Sequence, residues 1–449
     1  MTATAPEDVT VSAPADRTLL NTWNPEDEEL WAAGGRRIAR RNLAFSILSE
    51  HIGFSVWSLW SVLVLFLGPG YHVDAAGKFV LTSVPTLVGS VLRLPYSFAV
   101  TRFGGRNWTV FSALILLVPC GLAAFLVKPG VSYPTLLVLA AITGVGGGNF
   151  ASSMTNINAF YPDRLKGWAL GLNAGGGNVG VAAVQLVGLA VLAWSGKGHP
   201  GLVAGIYLPL IVVAAAGSAV YMDNLPNRTP EHGAIREVAK LGHTWIISTL
   251  YIGTFGSFIG FGFAFGQVLQ VQFKHDFATP IDAAYLTFLG PLLGSVSRPV
   301  GGRLADRFGG ARVSLLTFAA MAVGAATVLA ASRAASLPVF VTGFVLLFVF
   351  SGVGNGSVYK MIPVLFAGEP EPKARRLSGA LIGLAGAVGA FGGVLVNMAF
   401  RQSFLSTKSG DAAYLGFLVF YALCAAITWL VYSRSTSTTT SGSPGSAGK

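Results

Sequence analysis

Gly144 to Gly180 reads GVGGGNFASSMTNINAFYPDRLKGWALGLNAGGGNVG. Helix-forming apolar residues, dense glycine and repeated Asn and Ser rarely occur together. In a bilayer, small residues four apart let helix backbones approach closely, as Gly144 and Gly148, Gly171 and Gly175, and Gly176 and Gly180 would. Asn149, Ser153 and Asn156 stand at i, i+4 and i+7 and form one polar stripe on an otherwise apolar helix. That stripe faces protein or water rather than lipid. It is either interhelical glue, worth under about 1 kcal/mol per residue, or the lining of a substrate path.

Outward from this stretch, the 449 residues are 53% hydrophobic and only 11% charged. A soluble protein carries about 25% charge, so the chain is an integral membrane protein. Apolar segments able to cross a hydrocarbon core of roughly 30 Å are expected at 43–68, 79–101, 108–127, 133–160, 168–194, 202–222, 245–272, 284–302, 313–332, 338–365, 377–400 and 412–433. The fold class is thus an all-α polytopic membrane protein. It divides into a cytoplasmic tail and interfacial anchor (1–42), a six-helix bundle (43–222), a linker (223–244), a second six-helix bundle (245–433) and a disordered tail (434–449). Residues 1–30, rich in Thr, Ala, Asp, Glu and Pro, are expected to be mobile, and Trp31 is expected to anchor at the interface.

The net charge of +11 does not point to nucleic acid, because the basic residues follow the membrane. With the N-terminus inside, Arg36, Arg37, Arg40, Arg41, Arg102, Arg106, Arg164, Lys166, Arg228, Arg236, Lys240, Arg303, Arg307, Arg312, Lys373, Arg375, Arg376 and Arg434 fall on the cytoplasmic side. Lys78, Lys128, Lys197, Lys274, Arg333, Arg401 and Lys408 fall outside. The positive-inside rule places both termini in the cytoplasm. Cys120 and Cys424 lie within spans as small apolar residues, and neither a metal site nor a cofactor is expected. The polar, acidic first 30 residues contain no signal-peptide core.

The halves repeat. Arg93 plus 205 is Arg298, and the same offset carries Arg102, Phe103, Gly104 and Gly105 onto Arg307, Phe308, Gly309 and Gly310. Gly144, Val145, Gly146 and Gly148 recur 208 residues on as Gly352, Val353, Gly354 and Gly356. Two parallel six-span repeats are the organisation of major facilitator transporters, with the substrate held near the midplane between halves. The stretch GGRLADRFGGAR, Gly301 to Arg312, is similar to that superfamily's loop motif. Asp306 there is expected to accept from a neighbouring helix N-terminus or arginine as a gate latch. The first half departs from the motif, with Thr101 where the acid would stand.

Only Glu50, His51, Arg93, Arg298 and Lys360 are potentially charged within the spans. Arg93 and Arg298 each lie roughly 20 Å below the outer surface, and repeat symmetry brings them together across the centre. Two guanidiniums without a facing carboxylate suit a planar anion, which the guanidinium fork matches better than an ammonium does. The alternative is a pair of structural braces to backbone carbonyls. Lys360 either snorkels to the cytoplasmic interface or serves the substrate. Glu50 and His51 can change charge in the accessible pH range and are candidates for proton coupling, or they simply hydrogen-bond neighbouring helices.

The run NFASSMTNI, the following ALGLNAGGGNVG, and SVLRLPYSF and SVSRPVGG around the arginines resemble the nitrate/nitrite porter family of the major facilitator superfamily. The resemblance covers about 31 to 433. It implies nitrate and nitrite as substrates, one arginine from each half clamping the anion, Phe150 and Phe255 flanking it, and Tyr251 and Asn178 donating hydrogen bonds. Asn173 and Asn178 differ by about 140° around the helix, so at most one points at substrate, and Asn178 is favoured. It also implies a porter of the inner or plasma membrane, working as a monomer, by nitrate/nitrite exchange or by nitrate/proton symport. Two fixed positive charges make the empty carrier costly to occlude, which favours exchange. No nucleophile–base pair or phosphate loop supports an enzyme, and GVGGGN lacks the strand that a dinucleotide site needs.

Overall fold

The computed structural model describes residues 19–196, 198–226 and 232–433. The outermost tails, together with Lys197, Arg228 and Arg434, lie outside the described residues. Twelve long helices account for most of the rest. The first six are α1 Glu28–Phe66, α2 Ala75–Phe103, α3 Gly105–Leu126, α4 Tyr133–Phe160, α5 Asp163–Ser195 and α6 Gly201–Tyr221. A short linker helix, His232–Val238, precedes the second set. That set is α7 Gly242–Gln272, α8 Leu289–Phe308, α9 Gly310–Arg333, α10 Leu337–Val364, α11 Glu371–Thr407 and α12 Asp411–Ser433.

Local chemistry sets the ends. The Asp74 carboxylate accepts from Gly77 N at 2.7 Å and caps α2, and Ser132 caps α4 ahead of Pro134. Between α2 and α3, Gly104 adopts φ 85°, ψ 149°. Its repeat mate Gly309, between α8 and α9, adopts φ 87°, ψ 137°. A left-handed residue ends the second helix of each half, which only glycine does cheaply.

Eleven helices among the described residues are long and apolar enough to cross a membrane. The remaining helix, α8, falls short because Arg298, Arg303, Asp306 and Arg307 share its 20 residues. It nevertheless packs along α5 and α10 as the twelfth member of the bundle. The halves meet where α2 packs on α11, α5 on α8 and α1 on α7.

Glycines set the closest approaches within each half. A Cβ on Gly144 would lie 2.5 Å from Val88 Cβ and one on Gly148 2.6 Å from Tyr96. Gly146 meets the Gly53 carbonyl, Gly180 the His51 carbonyl, Gly176 the Ile47 side chain, and Gly352 the Gly294 carbonyl. At Gly356 the added carbon would stand 2.5 Å from both Arg298 O and Gly302 N. Gly171 and Gly175 differ from the expectation of tight packing. Nothing lies within 4 Å of a Cβ at Gly171, and at Gly175 the nearest atom is Pro299 Cγ at 3.7 Å. At Gly175 that is ordinary contact with α8 of the other half.

Residues 19–30 are ordered, against the expectation of mobility. Leu19, Leu20 and Trp23 pack on a cluster containing Ile157, Phe160 and Tyr161. Trp23 Nε1 donates to Ala159 O at 3.2 Å. Trp31 is likewise buried, edge-on to Tyr161 at 5.8 Å. Acidic composition predicts disorder only where no apolar side chains are spaced to dock.

Candidate functional site

The site forms where two helices are locally rewound. In α4 the run Gly144–Gly148 is a tight 3-10 turn immediately before Asn149 and Phe150. In α7 residues Ile252–Gly256 form a π turn that follows Tyr251 and contains Phe255. Such turns re-aim side chains out of the regular α-helical register and are frequent at functional sites. Here they bring Phe150 and Phe255 face to face across the interface between halves, centroids 5.8 Å apart and planes 29° apart. Tyr251 stacks on Phe255 at 5.2 Å.

Arg93 on α2 and Arg298 on α8 are 1% and 3% exposed and converge on those rings. The Arg93 guanidinium carbon lies 4.5 Å from the Phe150 centroid and 4.8 Å from Phe255. For Arg298 the distances are 5.6 and 5.9 Å. Arg93 Nη1 donates to Gly386 O of α11 at 2.9 Å, and Arg298 Nη2 donates to the Tyr251 hydroxyl at 3.1 Å. Arg93 Nε and Nη2 and Arg298 Nη1 are buried without a partner, as are both side-chain polar atoms of Asn178. Neither arginine has a carboxylate within ion-pair distance among the described residues, yet Glu50 lies within electrostatic range of both.

Glu50 is fully buried, accepting hydrogen bonds from Ser153 Oγ and from Asn173 Nδ2, the latter at 2.7 Å. Asn173 is therefore committed to Glu50 while Asn178 is not. His51 is partly buried and turns away, its Nδ1 3.2 Å from Gly176 O. The polar stripe of α4 faces its own half: Asn149 packs on Gly53 of α1, Ser153 on Glu50, and Asn156 on Gly105 of α3. The substrate-path alternative for that stripe does not fit. A different face of α4, carrying Phe150, Ala151, Met154, Thr155 and Asn158, lines a cavity of about 470 Å³.

That cavity runs from Arg93, Phe150 and Gly386 to Lys166, Arg375, Arg376 and Ala234 at the linker end of the bundle, where Trp23 and Pro25 border its mouth. Arg375 bridges from α11 to Asp163 of α5 at 2.6 Å, and Arg376 reaches Glu237 at 2.5 Å. The opposite end is shut. Phe79 of α2 stacks on Phe404 and Phe400 of α11 at 5.7 and 6.0 Å. Beneath them Thr82 Oγ1 donates to Asn397 Oδ1 at 2.8 Å and accepts from Gln267 at 3.3 Å. The molecule is open toward the linker and closed at the far side.

Among the described residues Asp306 pairs with neither a helix N-terminus nor an arginine. Its partner is Lys360, Nζ to Oδ1 2.6 Å, beside Gly167 of α5. Lys360 thus extends to the partly exposed Asp306 at the loop end of α8. Sequence reasoning missed Gly386, Trp57, whose ring lies 5.4 Å from the Arg93 guanidinium, and Tyr359. Tyr359 stacks on Tyr251 at 4.3 Å, 5.6 Å from the Arg298 guanidinium. The 208-residue offset that aligns the glycine runs maps Tyr359 onto cavity-lining Ala151 and could have found it.

The sequence profile of the Major Facilitator Superfamily matches residues 45–397. The chain is 36% identical to the nitrate/nitrite transporter NarU of Salmonella typhimurium over 93% of its own length and 97% of the relative's. It is also 36% identical to NarU of Escherichia coli, at the same coverages. To the probable nitrate/nitrite antiporter NarK2 of Thermus thermophilus it is 34% identical, over 94% and 98% of the two chains. Among solved structures, a D-xylose-proton symporter superposes with TM-score 0.69 over 87% of this chain and 97% of its own, at 15% identity, a likeness of fold alone. Twelve helices in two repeats, arginines converging from both halves and these similarities lead to one assignment: the chain belongs to the nitrate/nitrite porter family of the major facilitator superfamily, a family of multi-pass membrane transporters and not of enzymes.

Proposed function

We propose that this protein carries nitrate and nitrite by alternating access, exchanging one for the other at a site between Arg93 and Arg298. The observation that carries the reading is the set of unpartnered donors on two buried guanidiniums that share one pair of aromatic rings. Buried cationic donors cost free energy unless an acceptor meets them. A planar oxyanion lying between the guanidiniums would accept from Arg93 Nε and Nη2 and Arg298 Nη1, with Phe150 and Phe255 bounding its faces. Asn178 and the Tyr251 hydroxyl would supply the remaining hydrogen bonds. Exchange follows because closing an empty site around like charges is costly, and one monoanion lowers that cost. The relative named an antiporter supports the same reading.

The bundles 43–222 and 245–433 are the rocking units in this scheme, joined by the linker. The cavity faces the cytoplasm, because Arg102, Arg106, Arg164, Arg303, Arg307, Arg375 and Arg376 crowd that end. Both termini are then cytoplasmic, and the carrier works as a monomer in the inner or plasma membrane. Its partners are the two anions and lipid, without nucleic acid or cofactor. A nitrate/proton symport reading draws on the buried carboxyl of Glu50.

Uptake of labelled nitrate into proteoliposomes, with nitrite loaded inside or omitted, distinguishes the two. Dependence on internal nitrite with indifference to a proton gradient supports exchange. Uptake that needs no internal anion and follows the gradient replaces it with symport.

A further inference from the structure

Glu50 is the one buried acid near the arginines that the exchange cycle leaves without a task. It is 0% exposed on α1, with Oε1 unpartnered and Oε2 accepting from Ser153 and Asn173. From α4 Ser153 faces it, and from α5 Asn173 and the backbone of Gly177, where an added carbon would strike the Glu50 carboxyl. Arg93 of α2 and Arg298 of α8 do not touch it, but Ser153 Oγ, its hydrogen-bond donor, lies 3.1 Å from Phe150 O, and the Phe150 ring rests against both guanidiniums. On α1 itself, Ser49 turns to Ser218 and His51 to Gly176 O. Two neutral donors and no contact ion pair make a setting in which the carboxyl can hold or release a proton without breaking a salt bridge.

We propose that Glu50 sets the charge of the anion site, so that binding of a monovalent oxyanion between Arg93 and Arg298 is linked to uptake of a proton at the Glu50 carboxyl. Ionised Glu50 leaves the cluster with a net charge of about +1, which a monoanion would bring to zero. Protonated Glu50 leaves about +2, which attracts the anion more strongly at short range in a poorly solvated site. By reciprocity the anion, a second negative charge near Glu50, favours its neutral form by the same factor. The O–H formed on Glu50 remains within the site, and no other bond changes. Affinity therefore falls as pH rises through the titration of Glu50, by at most tenfold per pH unit for one linked proton. This linkage rests on the anion reading of the arginine cluster and holds for exchange and symport alike.

Isothermal titration of the purified full chain with sodium nitrate, at one pH in two buffers of different ionisation enthalpy and then across about pH 5 to 9, tests it. Wild type should take up a fraction of a proton per nitrate and show a Kd that rises with pH. Glu50→Gln should take up none and show a flat profile, while His51→Asn keeps the wild-type uptake. Should Glu50→Gln fail to fold, Ser153→Ala removes a donor that favours the carboxylate, and the pH profile should move upward. Equal proton uptake in wild type and Glu50→Gln, an unmoved profile in Ser153→Ala, or pH-independent nitrate binding by wild type overturns the linkage. Failure of wild type to bind nitrate at any pH overturns the anion reading itself.

Discussion

Arg93 and Arg298 come from equivalent helices of the two halves and rest against the same ring: their guanidinium carbons lie 4.5 and 5.6 Å from the centroid of Phe150. Cation–π contact of this kind is worth roughly 0.5–2 kcal/mol when desolvated. Removing the ring loosens both halves of the clamp at once. Phe150→Ala is expected to weaken nitrate binding by about tenfold or more, with Phe150→Tyr close to wild type. Direct titration with nitrate checks both.

The contrast between Gly356 and Gly171 predicts opposite tolerance. A Cβ at Gly356 collides with backbone atoms of α8, which cannot rotate away, and overpacking of this kind costs roughly 1–3 kcal/mol. At Gly171 it meets open space. Gly356→Ala should lower the melting temperature by several degrees in detergent, whereas Gly171→Ala should stay within about 0.5 kcal/mol of wild type. Melting the purified variants side by side measures the difference.

The far side is closed by Phe79 against Phe400 and Phe404 and by the Thr82, Asn397 and Gln267 hydrogen bonds, all between α2 and the second half. If this contact opens in every cycle, joining Thr82→Cys to Asn397→Cys with a short thiol linker stops transport. A reducible linker restores it on reduction. Cys120 and Cys424 are buried and should not compete for the reagent. Undiminished uptake after complete cross-linking would show that the seal is not the moving gate.

Asp306 and Lys360 make an ion pair that is partly exposed, so it contributes about 1 kcal/mol or less to stability. Lys360 Nζ lies beside Gly167 of α5, so the pair meets the other half of the molecule. Asp306→Lys and Lys360→Asp are each expected to slow nitrate uptake severalfold. The double exchange should recover part of that loss, measured as a double-mutant cycle on uptake rate.

The span pattern was legible because twenty apolar residues in a row admit few structures in a bilayer. The 205-residue offset alone pairs Arg93 with Arg298 and Gly104 with Gly309. What the sequence could not show was rotation about each helix axis. The 3-10 turn at Gly144–Gly148 shifts the face of α4, so Asn149, Ser153 and Asn156 meet α1 and α3 while Asn158 lines the cavity. Distance between helices was equally hidden. Glu50 is 43 residues before Arg93 in the chain, and only the packing of α1 beside α4 and α5 puts its carboxyl on Ser153, one turn from the Phe150 ring that carries both guanidiniums. Tyr359 and the Gly386 carbonyl were missed because one resembles any aromatic in an apolar helix and the other is backbone.

The most direct measurement is uptake of labelled nitrate into nitrite-loaded proteoliposomes containing wild type, Arg93→Lys or Arg298→Lys, with insertion confirmed for each. Lysine keeps the charge but not the planar fork. The arginine-clamp account predicts uptake near background in both variants, at least a hundredfold below wild type, about 2.7 kcal/mol in the barrier. Wild-type uptake by either lysine variant would contradict it.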